Sequence, residues 1–193
     1  MENYLFDFIE QYMPLLEEEK KAIIDMNIFR SFKKGTVLLK EGDIIKSGYF
    51  VIKGCLRSYY IVDSEEKTTA FSTEFESLTL VSGDDTSRAA HYVSCVEDSI
   101  VTVGNPEMEK DMMEKFPRFE KLCLIASEQL LVNNLASFAD FKNSSPEQRY
   151  LNLLKTKPYL FQRVPQHQIA SYLGMTPQSL SRIRKRLAQK GTV

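Results

Sequence analysis

The stretch from Val164 to Leu187 leaves the chain little conformational choice. It reads Val164-Pro165-Gln166-His167-Gln168-Ile169-Ala170-Ser171-Tyr172-Leu173-Gly174-Met175-Thr176-Pro177-Gln178-Ser179-Leu180-Ser181-Arg182-Ile183-Arg184-Lys185-Arg186-Leu187. Two helices that cross closely need a small residue at the crossing, and Ala170 supplies it. The turn between them must tolerate positive φ, and Gly174 supplies that. The second helix needs a cap and a start, and Thr176-Pro177 supplies both. Ile169, Leu173, Leu180, Ile183 and Leu187 are spaced to seat the second helix on the first. The pattern predicts a helix-turn-helix.

On a wheel of 100° per residue, Leu180, Ile183 and Leu187 fall within about 60° of one another. Opposite them lie Gln178, Ser181, Arg182, Lys185 and Gln189. That face carries cations and hydrogen-bonding groups and no acid, whereas a merely solvated face mixes both signs. In a major groove Gln178 suits adenine and Arg182 suits guanine, with Ser181 and Lys185 beside them as base contacts. Arg184, Arg186 and Lys190 flank this face and suit phosphates, as do Thr176 at the helix start and Gln166 and Gln168 near the start of the first helix.

Charge is segregated in the same sense. Of 25 basic side chains, nine lie between Gln148 and Val193, a stretch with no acid, and all 26 acidic ones lie before it. A net charge of −1 therefore hides an acidic body and a basic C-terminal module, which points to a polyanion at one end only.

Several other classes find no support. No Gly-x-Gly-x-x-Gly or P-loop is present. Cys55, Cys95 and Cys123 form no C-x-x-C pair, and His91 and His167 are isolated, so no metal site, cofactor or enzyme active site is expected. The thiols read as reduced and mostly buried. No unbroken apolar run approaches the roughly 18 residues of a membrane helix, and acids occupy the start where a signal peptide has bases. These features predict a cytoplasmic protein with no membrane partner.

Residues 4–13 and Glu17 to Met26 have helical spacing, with Pro14 between them. From Phe32 to Val103 short strand-forming runs alternate with turns, the pattern of an antiparallel roll or barrel. From Pro117 the period becomes helical. Leu124, Leu131, Leu135 and Phe138 form one stripe, and Leu122, Ile125, Val132, Ala136 and Ala139 a second beside it. One stripe can pack on the β-domain; the other needs a partner, for which a second copy of the helix is the simplest candidate. Asn143-Ser144-Ser145-Pro146 reads as a break followed by a capping box at Ser145 and Gln148. The expected domains are residues 1–142, including a dimer helix over about 117–142, and residues 143–193.

Phe32-Lys33-Lys34-Gly35-Thr36-Val37-Leu38-Leu39-Lys40-Glu41-Gly42-Asp43, Tyr49-Phe50-Val51-Ile52-Lys53-Gly54-Cys55-Leu56-Arg57-Ser58-Tyr59-Tyr60 and the helix-turn-helix together resemble the Crp/Fnr superfamily of bacterial transcription regulators. Residues 163–177 look most like the branch common in Bacteroidetes. The resemblance implies an α+β fold: an N-terminal antiparallel, cyclic-nucleotide-binding-like β-roll with flanking helices, a long dimerisation helix and a C-terminal helix-turn-helix domain. It also implies RNA polymerase as a further partner.

Two departures qualify it. Cyclic-nucleotide-binding members hold ribose with a Gly-Glu-Leu segment and the cyclic phosphate with Arg followed by Ser/Thr-Ala. Here the corresponding stretches are Ser77-Leu78-Thr79-Leu80-Val81-Ser82-Gly83 and Arg88-Ala89-Ala90. Leu80 and Arg88 are the residues this carries over to an effector pocket. Glu74, Glu76, Asp84 and Asp85 stand nearby and disfavour an anion, so cyclic AMP is not expected and the effector is unassigned. Only Gly191-Thr192-Val193 follows the recognition helix, so most of the wing is expected to be absent. The reading is a sequence-specific DNA-binding regulator, dimeric on a palindromic duplex site, with effector gating through the roll. The alternative is an effector- or protein-binding module with a non-functional DNA domain.

Overall fold

A computed structural model describes residues 2–78 and 87–189. Leu80 and Lys190, assigned above to an effector pocket and to phosphate contact, lie outside the described residues. The chain forms two compact units, one of Met1–Arg57 and Phe71–Val132, the other of Ser58–Ala70 and Asn133–Val193.

The first unit opens with α1 (Glu2–Ile9) and α2 (Glu17–Asp25). The strands follow as β1 (Phe29–Phe32), β2 (Val37–Leu39), β3 (Gly48–Lys53), β4 (Leu56–Val62), β5 (Glu65–Ser72), β6 (Ser77–Leu78), β7 (Tyr92–Cys95) and β8 (Ser99–Gly104). Then come α3 (Pro106–Lys115) and the long α4 (Arg118–Asn143). The strands form two four-stranded sheets, β1-β8-β3-β6 and β2-β7-β4-β5. Every pairing in the first sheet is antiparallel, as is β2 with β7. The expected mixed fold with antiparallel strands is present.

Strand β3 shows why alternation matters. Val51 is fully buried in a core with Leu39, Leu56, Val93, Cys95 and Val101. Its neighbour Ile52 points the other way, into a second core with Leu5, Phe6, Ile9, Ile23 and Phe119. One strand thus serves two apolar layers through its two faces. The turn after it needs Gly54. Its φ is +105°, and a Cβ there would lie 2.7 Å from the Ser99 Cα. Cys55 and Cys95 are buried, but Cys123 is exposed.

Two elements escape the sequence pattern for different reasons. Strand β1 has only four residues and no turn signal of its own. Helix α3 buries no residue, so no apolar stripe reveals it. Its start is fixed locally: Asn105 Oδ1 accepts the Met108 N–H at 2.8 Å, and Pro106 sits in the first turn.

Helix α4 departs from the expectation that one of its stripes packs within the chain. Phe119 is its only buried residue. It also carries an 18-residue window of mean hydropathy 1.3, long and apolar enough to cross a membrane by length and composition. A search for unbroken apolar runs misses this, because Glu128, Gln129, Asn133 and Asn134 interrupt the run without removing its mean apolarity.

The second unit holds the C-terminal part of α4, then α5 (Pro146–Thr156), α6 (Leu160–Arg163), α7 (Gln166–Tyr172) and α8 (Pro177–Gln189). The capping box is formed: Ser145 Oγ accepts the Gln148 N–H and Gln148 Oε1 accepts the Ser145 N–H. Residues 58–70 belong to this unit. Their tip is a two-residue turn in which Asp63 and Ser64 both have positive φ, the hairpin geometry that matches strand twist. On its edge strand β5, Ser171 of α7 bridges two backbone groups. The hydroxyl accepts the Thr68 N–H at 2.9 Å and donates to the Glu66 carbonyl at 3.0 Å. Main-chain groups that an edge leaves open are thereby satisfied.

The least replaceable polar contact of the first unit is at Glu19, which has no exposed surface. Its Oε2 accepts the Leu16 N–H at 2.8 Å. Its Oε1 lies 3.3 Å from Arg118 Nε, close enough for an ion pair but out of line for a hydrogen bond. Arg118 also donates to the Pro14 carbonyl. The start of α4 is thus tied to the N-terminal helices, and Arg118→Met would leave Glu19 buried without its cation. We expect a loss of about 2 kcal/mol, below the ~3–5 kcal/mol of a wholly buried pair because Arg118 is partly exposed. Urea unfolding measures it, and an unchanged midpoint would show that solvent already satisfies Glu19.

Candidate nucleic-acid interface

The helix-turn-helix is built as its sequence dictates. Ile169, Ala170, Leu173, Leu180, Ile183 and Leu187 are all buried. Ala170 has no exposed surface, and its carbonyl accepts the Met175 N–H at 3.0 Å, so the turn closes on the residue where the helices meet. Gly174 has φ +66°. The structure adds a second reason for glycine. A Cβ there would lie 2.9 Å from Phe141 Cζ and 3.1 Å from Arg149 Nη1. The Arg149 guanidinium in turn sits 4.2 Å from the centre of the Phe141 ring. The turn is therefore wedged against a cation–π pair.

Seating Leu180, Ile183 and Leu187 inward leaves Gln178, Ser181, Arg182 and Lys185 exposed, along with Arg184, Arg186 and Gln189. Among the described residues, Arg182, Arg184 and Lys185 make no ion pair or hydrogen bond. Three cations thus stand unneutralised on one helix. Arg184, Lys185, Ser181 and Ala188 of α8 line a cleft of about 430 Å³ with Gln166 of α7 and Tyr150 of α5.

Other candidates are placed differently. Arg186 is ion-paired with Glu147 at the start of α5, so its charge is already answered within the chain. Thr176 spends its hydroxyl as a cap, accepting the Ser179 N–H at 3.2 Å and donating to Ser179 Oγ at 3.0 Å. Gln168 is half-buried, and its Oε1 is buried without a hydrogen bond among the described residues. Gln166, by contrast, is exposed. Arg149, one of the nine cations of the basic module, is held over Phe141. Spacing alone does not reveal these intramolecular uses, because each involves a residue from a different helix.

In the roll, Arg88 donates to the Gly42 carbonyl at 2.7 Å. It is exposed and does not line the cleft of about 400 Å³ bounded by Leu38, Asp43, Ile44, Lys46 and Tyr49. Of the two carried-over effector residues only Arg88 is among the described residues. Among these residues no group of three or more His, Cys, Asp or Glu could hold a metal ion.

On α4 the predicted stripe is open to solvent: Leu124, Leu131, Leu135 and Phe138 are 59–61% exposed. Val132 and Phe141 are exposed as well.

No protein-family model matches the chain. Two transcriptional activators do. It is 23% identical over 176 residues to the transcriptional activator protein anr of Pseudomonas aeruginosa, covering 85% of this chain and 72% of that one. It is 25% identical over 180 residues to the transcriptional activator protein FnrA of Stutzerimonas stutzeri, covering 84% and 71%. The structure of FixK2 from Bradyrhizobium japonicum superposes with a TM-score of 0.71 over 84% of this chain and 85% of that one, at 18% identity. These similarities support the resemblance to the Crp/Fnr superfamily read from the sequence. In the roll, the residues with which cyclic-nucleotide-binding members of that superfamily hold their ligand are replaced.

Gly174→Ala tests the seating of the helix-turn-helix. A left-handed backbone and a crowded Cβ together should cost the second unit about 2–3 kcal/mol. Thermal unfolding, monitored through amide protection in α7 and α8, reads the loss. Wild-type stability would mean that Phe141 and Arg149 yield freely.

Proposed function

We propose that the chain is a cytoplasmic, sequence-specific DNA-binding transcription regulator that acts as a dimer and carries α8 into the major groove. One observation bears most of the weight: α8 is docked by Leu180, Ile183 and Leu187, while Arg182, Arg184 and Lys185 stand exposed and unneutralised. A helix that exposes cations without counter-ions is matched to a polyanion. Gln178 and Arg182 are the base readers, by adenine and guanine geometry. Gln166 and Arg184 meet phosphates.

The dimer reading rests on α4. Leu124, Leu131, Leu135 and Phe138 recur at steps of seven, four and three residues and are the most exposed large apolar residues of the helix, the pattern of a helical seam. A bilayer is a poorer partner. At 100° per residue, Gln129, Asn133 and Asp140 fall opposite the seam, and lipid would surround that side too. A second copy covers one side and leaves the other wet. Two-fold symmetry then sets half-sites one helical turn apart, about 34 Å. An effector acting through the roll would be a population shift between dimer arrangements. Nothing in the described residues favours a cyclic phosphate as that effector.

Arg182→Ala should weaken binding to a selected site by about 1–3 kcal/mol and relax one base position. Fluorescence anisotropy on selected and random duplexes checks it, and equal losses on both would remove Arg182 from base reading. Leu131→Glu with Leu135→Glu should yield monomers in sedimentation and abolish preference for a palindrome over a half-site. Persistence of the dimer would place the interface elsewhere.

A further inference from the structure

The cleft between α5, α7 and α8 has a composition that the exposed face of α8 does not. Its walls are Gln166, Ser181, Arg184, Lys185 and Ala188, and Tyr150 completes it. No carboxylate lines it. Tyr150 is 4% exposed, its ring set edge-on to Phe161 at 5.4 Å. Among the described residues its hydroxyl has no hydrogen-bond partner. The hydroxyl oxygen is itself accessible and opens into the cleft, where water or a bound anion can accept its hydrogen bond.

The cleft's angular position on α8 is equally informative. With Leu180 at zero, Arg184, Ala188, Ser181 and Lys185 fall between about 40° and 140°, on one flank. Gln178, Gln189 and Arg182 fall between about 160° and 200°, directly opposite the buried seat. Ser181 and Lys185, which the sequence groups with the base readers, thus share a wall with Arg184. An ammonium, a guanidinium, an amide and two hydroxyls can all donate there, from three different helices. An acceptor-only anion with several oxygens satisfies such a set.

We propose that this cleft seats one backbone phosphate of the bound duplex, with Tyr150, Lys185 and Ser181 serving that phosphate rather than a base edge. The inference rests on the DNA-binding reading and adds to it a residue outside the helix-turn-helix. Tyr150 anchors α5 to the DNA backbone through its hydroxyl. Base reading then narrows to Gln178 and Arg182.

The test uses the full chain with a random-sequence duplex and with a duplex selected by the wild-type protein, across a salt series. Tyr150→Phe keeps the ring, so thermal unfolding should not change. It should weaken both duplexes alike, about tenfold, as loss of a hydrogen bond to a charged group does. Lys185→Met should reduce the slope of log K against log salt by about 0.9 on both duplexes. Unchanged affinity for Tyr150→Phe would overturn the proposal. So would a Lys185→Met loss confined to one base position with an unaltered slope. Should the wild-type protein bind neither duplex, the DNA-binding reading itself falls, and this proposal with it.

Discussion

The direction in which α8 presents its charges depends on an apolar seat of three residues. Leu180, Ile183 and Leu187 are buried, and this seat sets the rotation of α8 about its own axis. Each turn of that rotation is quantised by side-chain packing, because a seat built from positions i, i+3 and i+7 accepts one face only. Turn geometry sets where the helix begins. Gly174 lets the chain reverse within the space left by Phe141 and Arg149, and Thr176 caps the helix so that no orphan N–H needs the seat to shift. The cationic face is the remainder after these demands are met.

Charge segregation in the sequence overstates the charge that is free to act. Nine cations occupy the last 46 residues, yet Arg149 stacks on Phe141 and Arg186 pairs with Glu147. Both contacts are local to the second unit and hold α5 in place beside the motif. The two residues are structural by virtue of neighbours that the linear sequence puts 8 and 39 positions away. Of the other seven, Arg182, Arg184 and Lys185 lie together on one helix. A smaller number of well-placed, unanswered charges is a stronger pointer to a polyanion than a larger number of scattered ones, since long-range attraction falls off within a Debye length of about 8 Å.

Much of this was legible beforehand, and the boundary of legibility has a physical cause. The sequence located β4 and placed β3 to within a residue, because each is a run of strand-forming residues bounded by glycine turns. The capping box at Ser145 and the glycine at 174 were legible because they are local conformational requirements. Helix α3 was not, since it buries nothing and periodicity reports burial. The same limit governs the candidate site. Residues were sorted correctly into inward and outward on α8, but the outward set could not be divided into groove-facing and flank-facing without knowing that Tyr150 of α5 stands beside Lys185. Side-chain competition, as for Thr176 and Gln168, was equally out of reach.

Helix α4 carries the remaining constraint. Its residues up to Val132 belong to one compact unit and those from Asn133 to the other. Its apolar seam, from Leu124 to Phe138, extends over both halves. At Arg118 the helix is also tied to Glu19 and Pro14, which ties α1 and α2 to the same rod. The sequence spends few residues on this arrangement. One buried acid fixes the start, one apolar stripe waits for a partner, and the glycine-wedged motif follows at the end.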